Sequence, residues 1–206
     1  MKGYLFLDID GTLVDSKTTH EISEDTRNAL KQAKENGYGL FICSGRNFGG
    51  LGDYMDLGMD GFVFSDGAGI IINGLEPYYQ PIDQDLLKEM VHLAVNELKG
   101  EVLMSSLRNF YASEEQYQLW IEYMNQMGEV KFAEDIRKLE DWDGEEIMEV
   151  DVDLPDEETE REFIRRLNPK LGYVSTTASY GRGSRSSGEV TMAGVTKGER
   201  SEEAHV

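Results

Sequence analysis

Leu5-Phe6-Leu7-Asp8-Ile9-Asp10-Gly11-Thr12-Leu13 is the stretch on which the fold of this 206-residue chain turns. An apolar run from Tyr4 to Ile9 predicts a buried parallel strand, and the strand delivers two carboxylates, one residue apart, into a glycine turn. In open α/β sheets ligands bind outside the carboxyl ends of the strands. Asp8 and Asp10 at such an edge can hold a divalent cation through oxygen, and turn amides around Gly11 and Thr12 can receive a phosphate. One carboxylate can attack phosphorus as a nucleophile while its neighbour serves the leaving oxygen as general acid and water as base. An acidic surface turn is the bland alternative for Asp-x-Asp alone. The full run Asp-x-Asp-Gly-Thr-Leu after a strand points to chemistry.

Outward from this segment the first 81 residues alternate strand and helix. Ser23 is a good N-cap for a helix over 24–36, with Ala29, Leu30 and Ala33 at helix spacing and Gly37 closing it. Strands are expected at Tyr38 to Cys43 and Gly61 to Phe64, with one short helix and loops between Asn47 and Asp60. Asn73-Gly74 between Ile70–Ile72 and Glu76–Tyr79 predicts a two-residue hairpin turn. Alternation of this kind argues for a parallel α/β sheet with right-handed crossovers.

Past Pro81 the pattern becomes a mixed α/β block. Helices are expected from Leu86 to Leu98, from Glu114 to Met127 and from Pro155 to Leu167. Strands are expected at Val102–Ser105, Phe110–Ser113, Ile147–Val152 and Tyr173–Ala178. The aromatic and methionine stripe Tyr117, Trp120, Tyr123, Met124 and Met127 reads as core. From Glu134 to Glu162 fifteen acids face three bases, Arg137, Lys138 and Arg161. Glu149, Asp151 and Asp153 alternate along a strand, which predicts one exposed acidic face. Tyr180 to Gly188 reads as a flexible loop with a small positive cluster at Arg182 and Arg185.

Composition bounds the partners. Twenty Lys and Arg against forty Asp and Glu leave a formal charge of −20, which argues against DNA, RNA or anionic lipid as partners. No apolar run approaches the ~18 residues of a membrane span. The single Cys43 excludes an intrachain disulfide, and His20, His92 and His205 share no ligand spacing. A cytoplasmic, acidic protein is expected. Ser44-Gly45-Arg46 closes the second strand with a hydroxyl, a close-approach glycine and a cation. Glu189-Val190-Thr191-Met192 followed by Lys197-Gly198 sets a lysine after a strand. The glycines of 45–52 lack the G-x-G-x-x-G register of a dinucleotide fold.

In this order the three segments resemble the haloacid dehalogenase (HAD) superfamily of phosphatases, and its Cof-type branch in particular. Asp8-Ile9-Asp10-Gly11-Thr12 matches the first motif, Ser44-Gly45-Arg46 the second and Lys197-Gly198 the third. Phe64-Ser65-Asp66-Gly67-Ala68 stands where the branch usually shows an Asn-Gly-Ala turn, with Asp66 in place of the Asn. The resemblance implies a Rossmannoid parallel-sheet core, residues 1–81 with 186–206, and an inserted α/β cap, residues 82–185, that closes over the site. It implies a Mg²⁺-dependent phosphatase of small phosphorylated metabolites such as sugar phosphates. Asp8 would be the nucleophile and Asp10 the general acid; Mg²⁺ would meet Asp8 and the Asp10 main-chain carbonyl. Ser44 and Lys197 would hold phosphate oxygens, with Gly11, Thr12, Gly45 and Arg46 around the substrate.

The superfamily's fourth motif, a strand ending in Gly-Asp with a further Asp, is missing from the nine residues after Lys197. Gly52-Asp53-Tyr54-Met55-Asp56 and Asp141-Trp142-Asp143-Gly144 are superficially similar acidic loops. The expectation is a shortened chain with impaired hydrolysis, or a non-catalytic phosphate-binding protein lacking a complete metal site. The core would also lose strands beside the Asp8 strand, and an unpaired edge there invites homodimerisation.

Overall fold

The computed structural model describes residues 2–15, 21–127, 136–176 and 185–198. The chain divides into two compact units. The first runs to Tyr79 and resumes at Val195; the second is Gln80–Gly194.

In the first unit β1 (Gly3–Leu7), β2 (Tyr38–Cys43), β3 (Gly61–Phe64), β4 (Gly69–Ile72) and β5 (Tyr78–Tyr79) form one sheet in that order. The pairs β1–β2 and β2–β3 are parallel; β3–β4 and β4–β5 are antiparallel. Leu40, Phe41, Ile42, Val63 and Phe64 are buried, as the unbroken apolar runs of β2 and β3 predict. β1 was expected to be equally buried, but Leu5, Phe6 and Leu7 are only half-buried. β1 ends the sheet, so its ladder is filled on one side alone among the described residues. Phe6 stacks on Phe41 at 5.0 Å, and Tyr4 meets the same ring edge-on at 5.7 Å.

Helix α1 (Glu24–Glu35) starts as its sequence demands. The Ser23 hydroxyl accepts from the Thr26 amide at 3.1 Å, and Glu24 and Asp25 sit in the first turn. Between β2 and β3 lies a 3₁₀ helix, Phe48–Leu57, capped by the Asn47 side chain and closed by Gly58 at φ +70°. It absorbs the acidic segment 52–56. The hairpin forms, but not on a two-residue loop. Ile70 pairs with Tyr78, and Asn73-Gly74 form the middle of a turn closed by the Leu75 amide on the Ile72 carbonyl, at the start of the longer connection 73–77. Asn73 also donates to the Met59 carbonyl and so ties the loop to the entry of β3.

The second unit is a six-stranded sheet ordered β10 (Leu171–Thr176), β11 (Ser186–Met192), β9 (Glu149–Leu154), β6 (Glu101–Ser105), β7 (Phe110–Ala112), β8 (Ile136–Lys138). Helix α2 (Gln84–Val91) continues as a π helix, His92–Glu97, and α4 (Glu157–Arg166) begins at an Asp156 cap. Leu87, Met90 and Phe163 pack with Val102, Val150, Val152, Leu154 and Val190 in one core. On a second cluster, Tyr117 and Trp120 of α3 (Glu114–Met127) pack with Leu103, Ala112 and Ile136, as the stripe predicts. The side chains of Tyr123, Met124 and Met127 lie outside the described residues, as does Arg182.

Three further expectations change. Residues 186–194 were assigned to the core, yet β11 pairs antiparallel with both β9 and β10, so the chain returns to the first unit only at Val195. Ser186-Ser187-Gly188 belong to that strand rather than to a loop, and Arg185 pairs with Glu115 at 3.3 Å. Glu149, Asp151 and Asp153 do share a face, but Glu149 is 4% and Asp153 6% exposed. β9 is an interior strand flanked by β11 and β6, and the Ser187 hydroxyl donates to the Asp153 carboxylate.

Candidate active site

β1 hands the chain directly to Asp8, whose Oδ1 accepts from the Ile9 amide at 2.7 Å. Ile9 is fully buried and anchors the turn that follows. Its carbonyl receives the amides of Leu13 and Val14 at 3.0 Å and of Thr12 at 3.3 Å. Gly11, at φ +79°, donates to the Val14 carbonyl at 2.9 Å. The amides of Gly11 and Thr12, expected to be open to phosphate, are therefore spent within the turn. Its function is to present Asp8 and Asp10, both exposed, beyond the carboxyl end of β1.

The parallel pairing of β1 with β2 places the second motif beside the first. Ser44 is 1% exposed: its amide donates to the Val63 carbonyl and its hydroxyl accepts from the Arg46 amide at 3.2 Å. Arg46 clamps Asp10 in a bidentate pair, Nε to Oδ2 and Nη2 to Oδ1, each at 2.9 Å. Its guanidinium also lies over the Tyr54 ring, 5.4 Å from the centroid. Planar two-point recognition of a carboxylate is what arginine offers and lysine does not. Arg46, whose role the sequence left open, is thus the link between the two motifs.

Lys197 reaches the same edge through a residue absent from the predicted site. Its Nζ lies 2.8 Å from Oδ1 of Asp66, a carboxylate 7% exposed. Asp66 sits in a turn where Ser65 (φ +46°) and Asp66 (φ +48°) are both left-handed. The Ser65 amide donates to the Arg46 carbonyl at 3.0 Å, tying this turn to the second motif. A Cβ on Gly45 would stand 3.1 Å from Asp66 Oδ1 and 3.5 Å from Lys197 Nζ, so a side chain there would press on the ion pair. The available signal was an Asp-Gly pair one residue past the end of β3, because Asp tolerates the left-handed region better than most residues.

Cys43, at the end of β2, is half-buried, and its thiol contacts the Lys197 carbonyl at 3.9 Å. Burial pushes the thiol up to about 11. Lys197 opposes that shift, while Asp8 and Asp66 add to it. A thiol this reluctant to ionise is no nucleophile near neutrality.

A profile of haloacid dehalogenase-like hydrolases matches residues 5–204. Over 50 residues the chain is 42% identical to YxeH of Bacillus subtilis (strain 168), named as a candidate phosphatase; the match spans 24% of this chain and 18% of YxeH. The solved structure of BT4131, a sugar phosphatase of HAD subclass IIB, superposes with a TM-score of 0.70 at 25% identity, covering 99% of this chain and 75% of that one. A haloacid dehalogenase-like hydrolase from B. subtilis superposes with a TM-score of 0.74 at 18% identity, covering 99% and 78%. Among the described residues no helix is long and apolar enough to cross a membrane. With Asp8, Asp10, Ser44, Arg46 and Lys197 gathered at one sheet edge and the profile running over nearly the whole sequence, the chain belongs to the haloacid dehalogenase-like hydrolases, in their Cof-type branch.

Proposed function

We propose that the chain is a Mg²⁺-dependent phosphatase of small phosphorylated metabolites, sugar phosphates among them, acting in the cytoplasm through an aspartyl-phosphate. One observation carries this: two adjacent parallel strands deliver Asp8 with Asp10 and Ser44 with Arg46 to the same edge, and the Arg46–Asp10 clamp joins them. Asp8, exposed at the end of β1, attacks the phosphoryl group. Asp10 lies two residues on, where it can protonate the departing alkoxide and then deprotonate the water that cleaves the acyl phosphate. Ser44 and Lys197 take the phosphate oxygens as charge spreads over them.

The donor chemistry fits a hard divalent cation. Mg²⁺ keeps several waters and needs only one or two carboxylates besides the substrate's phosphate. Asp8 would supply the carboxylate and the Asp10 main chain a carbonyl; the bound ion would reduce repulsion between Asp8 and the phosphate dianion. The Arg46 clamp, which engages both carboxylate oxygens of Asp10 and holds the side chain in place, supports impaired turnover. That clamp also favours a second reading, a phosphate-binding protein without turnover. The half-buried edge strand β1 further suggests self-association through that edge, which light scattering would read as a doubled mass.

Hydrolysis of p-nitrophenyl phosphate separates the two readings. The enzyme reading predicts Mg²⁺-stimulated turnover that Asp8→Asn reduces to background. Phosphate binding without turnover, unchanged by Asp8→Asn, would leave the second reading standing.

A further inference from the structure

We infer that Asp66 is a positioning residue that holds the Lys197 ammonium at the sheet edge and competes with incoming phosphate for it, so that one carboxylate sets phosphate affinity. The inference rests on the assignment of Lys197 to a phosphate site. Asp66 is buried; Oδ1 pairs with Lys197, and Oδ2 has no hydrogen-bond partner among the described residues. A buried carboxylate in that state depends on its counter-charge, since water cannot replace the ammonium.

The backbone around it is costly. Ser65, Asp66 and Gly67 are consecutively left-handed, at φ +46°, +48° and +105°, and only the last is glycine. The turn is pinned to the second motif by the Ser65–Arg46 bond, and Gly45 passes within contact of the ion pair. The carboxylate is therefore fixed against the loop that carries Ser44, whereas the Lys197 side chain, 38% exposed, can turn toward a phosphate. A phosphate that engages Lys197 draws the ammonium from Asp66 and meets a like charge behind it. Both effects weaken binding. An amide in place of the carboxylate keeps the volume and the left-handed turn but removes the charge.

The test is calorimetric titration of the 206-residue chain with inorganic phosphate in Mg²⁺ buffer, comparing wild type with Asp66→Asn, alongside thermal melts. Folded Asp66→Asn is expected to bind phosphate about tenfold more tightly. A purely structural role would move the melting temperature and leave the affinity alone. Equal or weaker binding by the folded variant overturns the inference and leaves the phosphate site intact. Absence of binding by either protein overturns the site assignment and the inference with it. If Asp66→Asn does not fold, carboxyl ¹³C NMR of wild type reads the same competition: phosphate saturation must shift the Asp66 Cγ resonance, and an unmoved resonance refutes it.

Discussion

Replacing Lys197 by Met removes the ammonium and keeps most of the stem, which isolates what the charge contributes to the fold. Asp66 would then be a carboxylate 7% exposed, with no hydrogen-bond partner for Oδ2 among the described residues and Oδ1 stripped of its contact at 2.8 Å. Breaking a fully buried pair from one side costs about 3–5 kcal/mol, because it strands the remaining charge. The Lys197 side chain is 38% exposed, so water already screens the cationic end of the pair. We expect about 2 kcal/mol, a fall in melting temperature of about 4–8 °C for a chain of this size. The control is the double variant Lys197→Met with Asp66→Asn, which removes both charges of the pair and should recover most of the loss in urea denaturation. The loss should appear without substrate or metal. A single variant within about 0.5 kcal/mol of wild type, or a double variant no more stable than the single, would refute the dependence of Asp66 on Lys197.

Two further outcomes follow from burial. Because the Cys43 thiol is pushed up to about 11, the native state keeps its proton in a range where an unfolded thiol, near about 8.5, has lost it. The stability contribution is complete below the unfolded value and is lost as pH rises toward 11, so urea midpoints should decline across that window. Cys43→Ser should flatten the decline. Phe163, fully buried and edge-on to Tyr173 at 5.6 Å, anchors α4 on the second sheet. Phe163→Ala should cost about 3–5 kcal/mol, with faster hydrogen exchange at β9 and β10 as the readout.

What could be read along the chain was whatever neighbouring residues decide among themselves. Ser23 caps α1 three residues ahead of its partner amide, the apolar run 38–43 is β2 residue for residue, and helix α3 begins and ends where its pattern does. The turn Asp8 to Thr12 was legible for the same reason, since a strand followed by Asp-x-Asp-Gly places its own carboxylates. Even there the amides proved committed: Gly11 and Thr12 donate to Val14 and Ile9, which no residue pattern announces. Glu149 and Asp153 show a different limit. A period of two places them on one face, but whether that face meets water depends on which strands flank β9.

The sequence by itself determined the α/β order and the turn that presents Asp8 and Asp10, and its resemblance to a known family put Asp8, Asp10, Ser44 and Lys197 in one proposed set. Only the tertiary structure decided how the charges in that set are spent. Arg46 closes on Asp10, and Lys197 closes on Asp66, across chain separations that no local rule spans. It likewise decided that β11 completes the second sheet, since a strand's backbone will pair with any edge of matching register. Local patterns fix where a carboxylate emerges. Which cation it meets depends on the sheet that brings distant strand ends together.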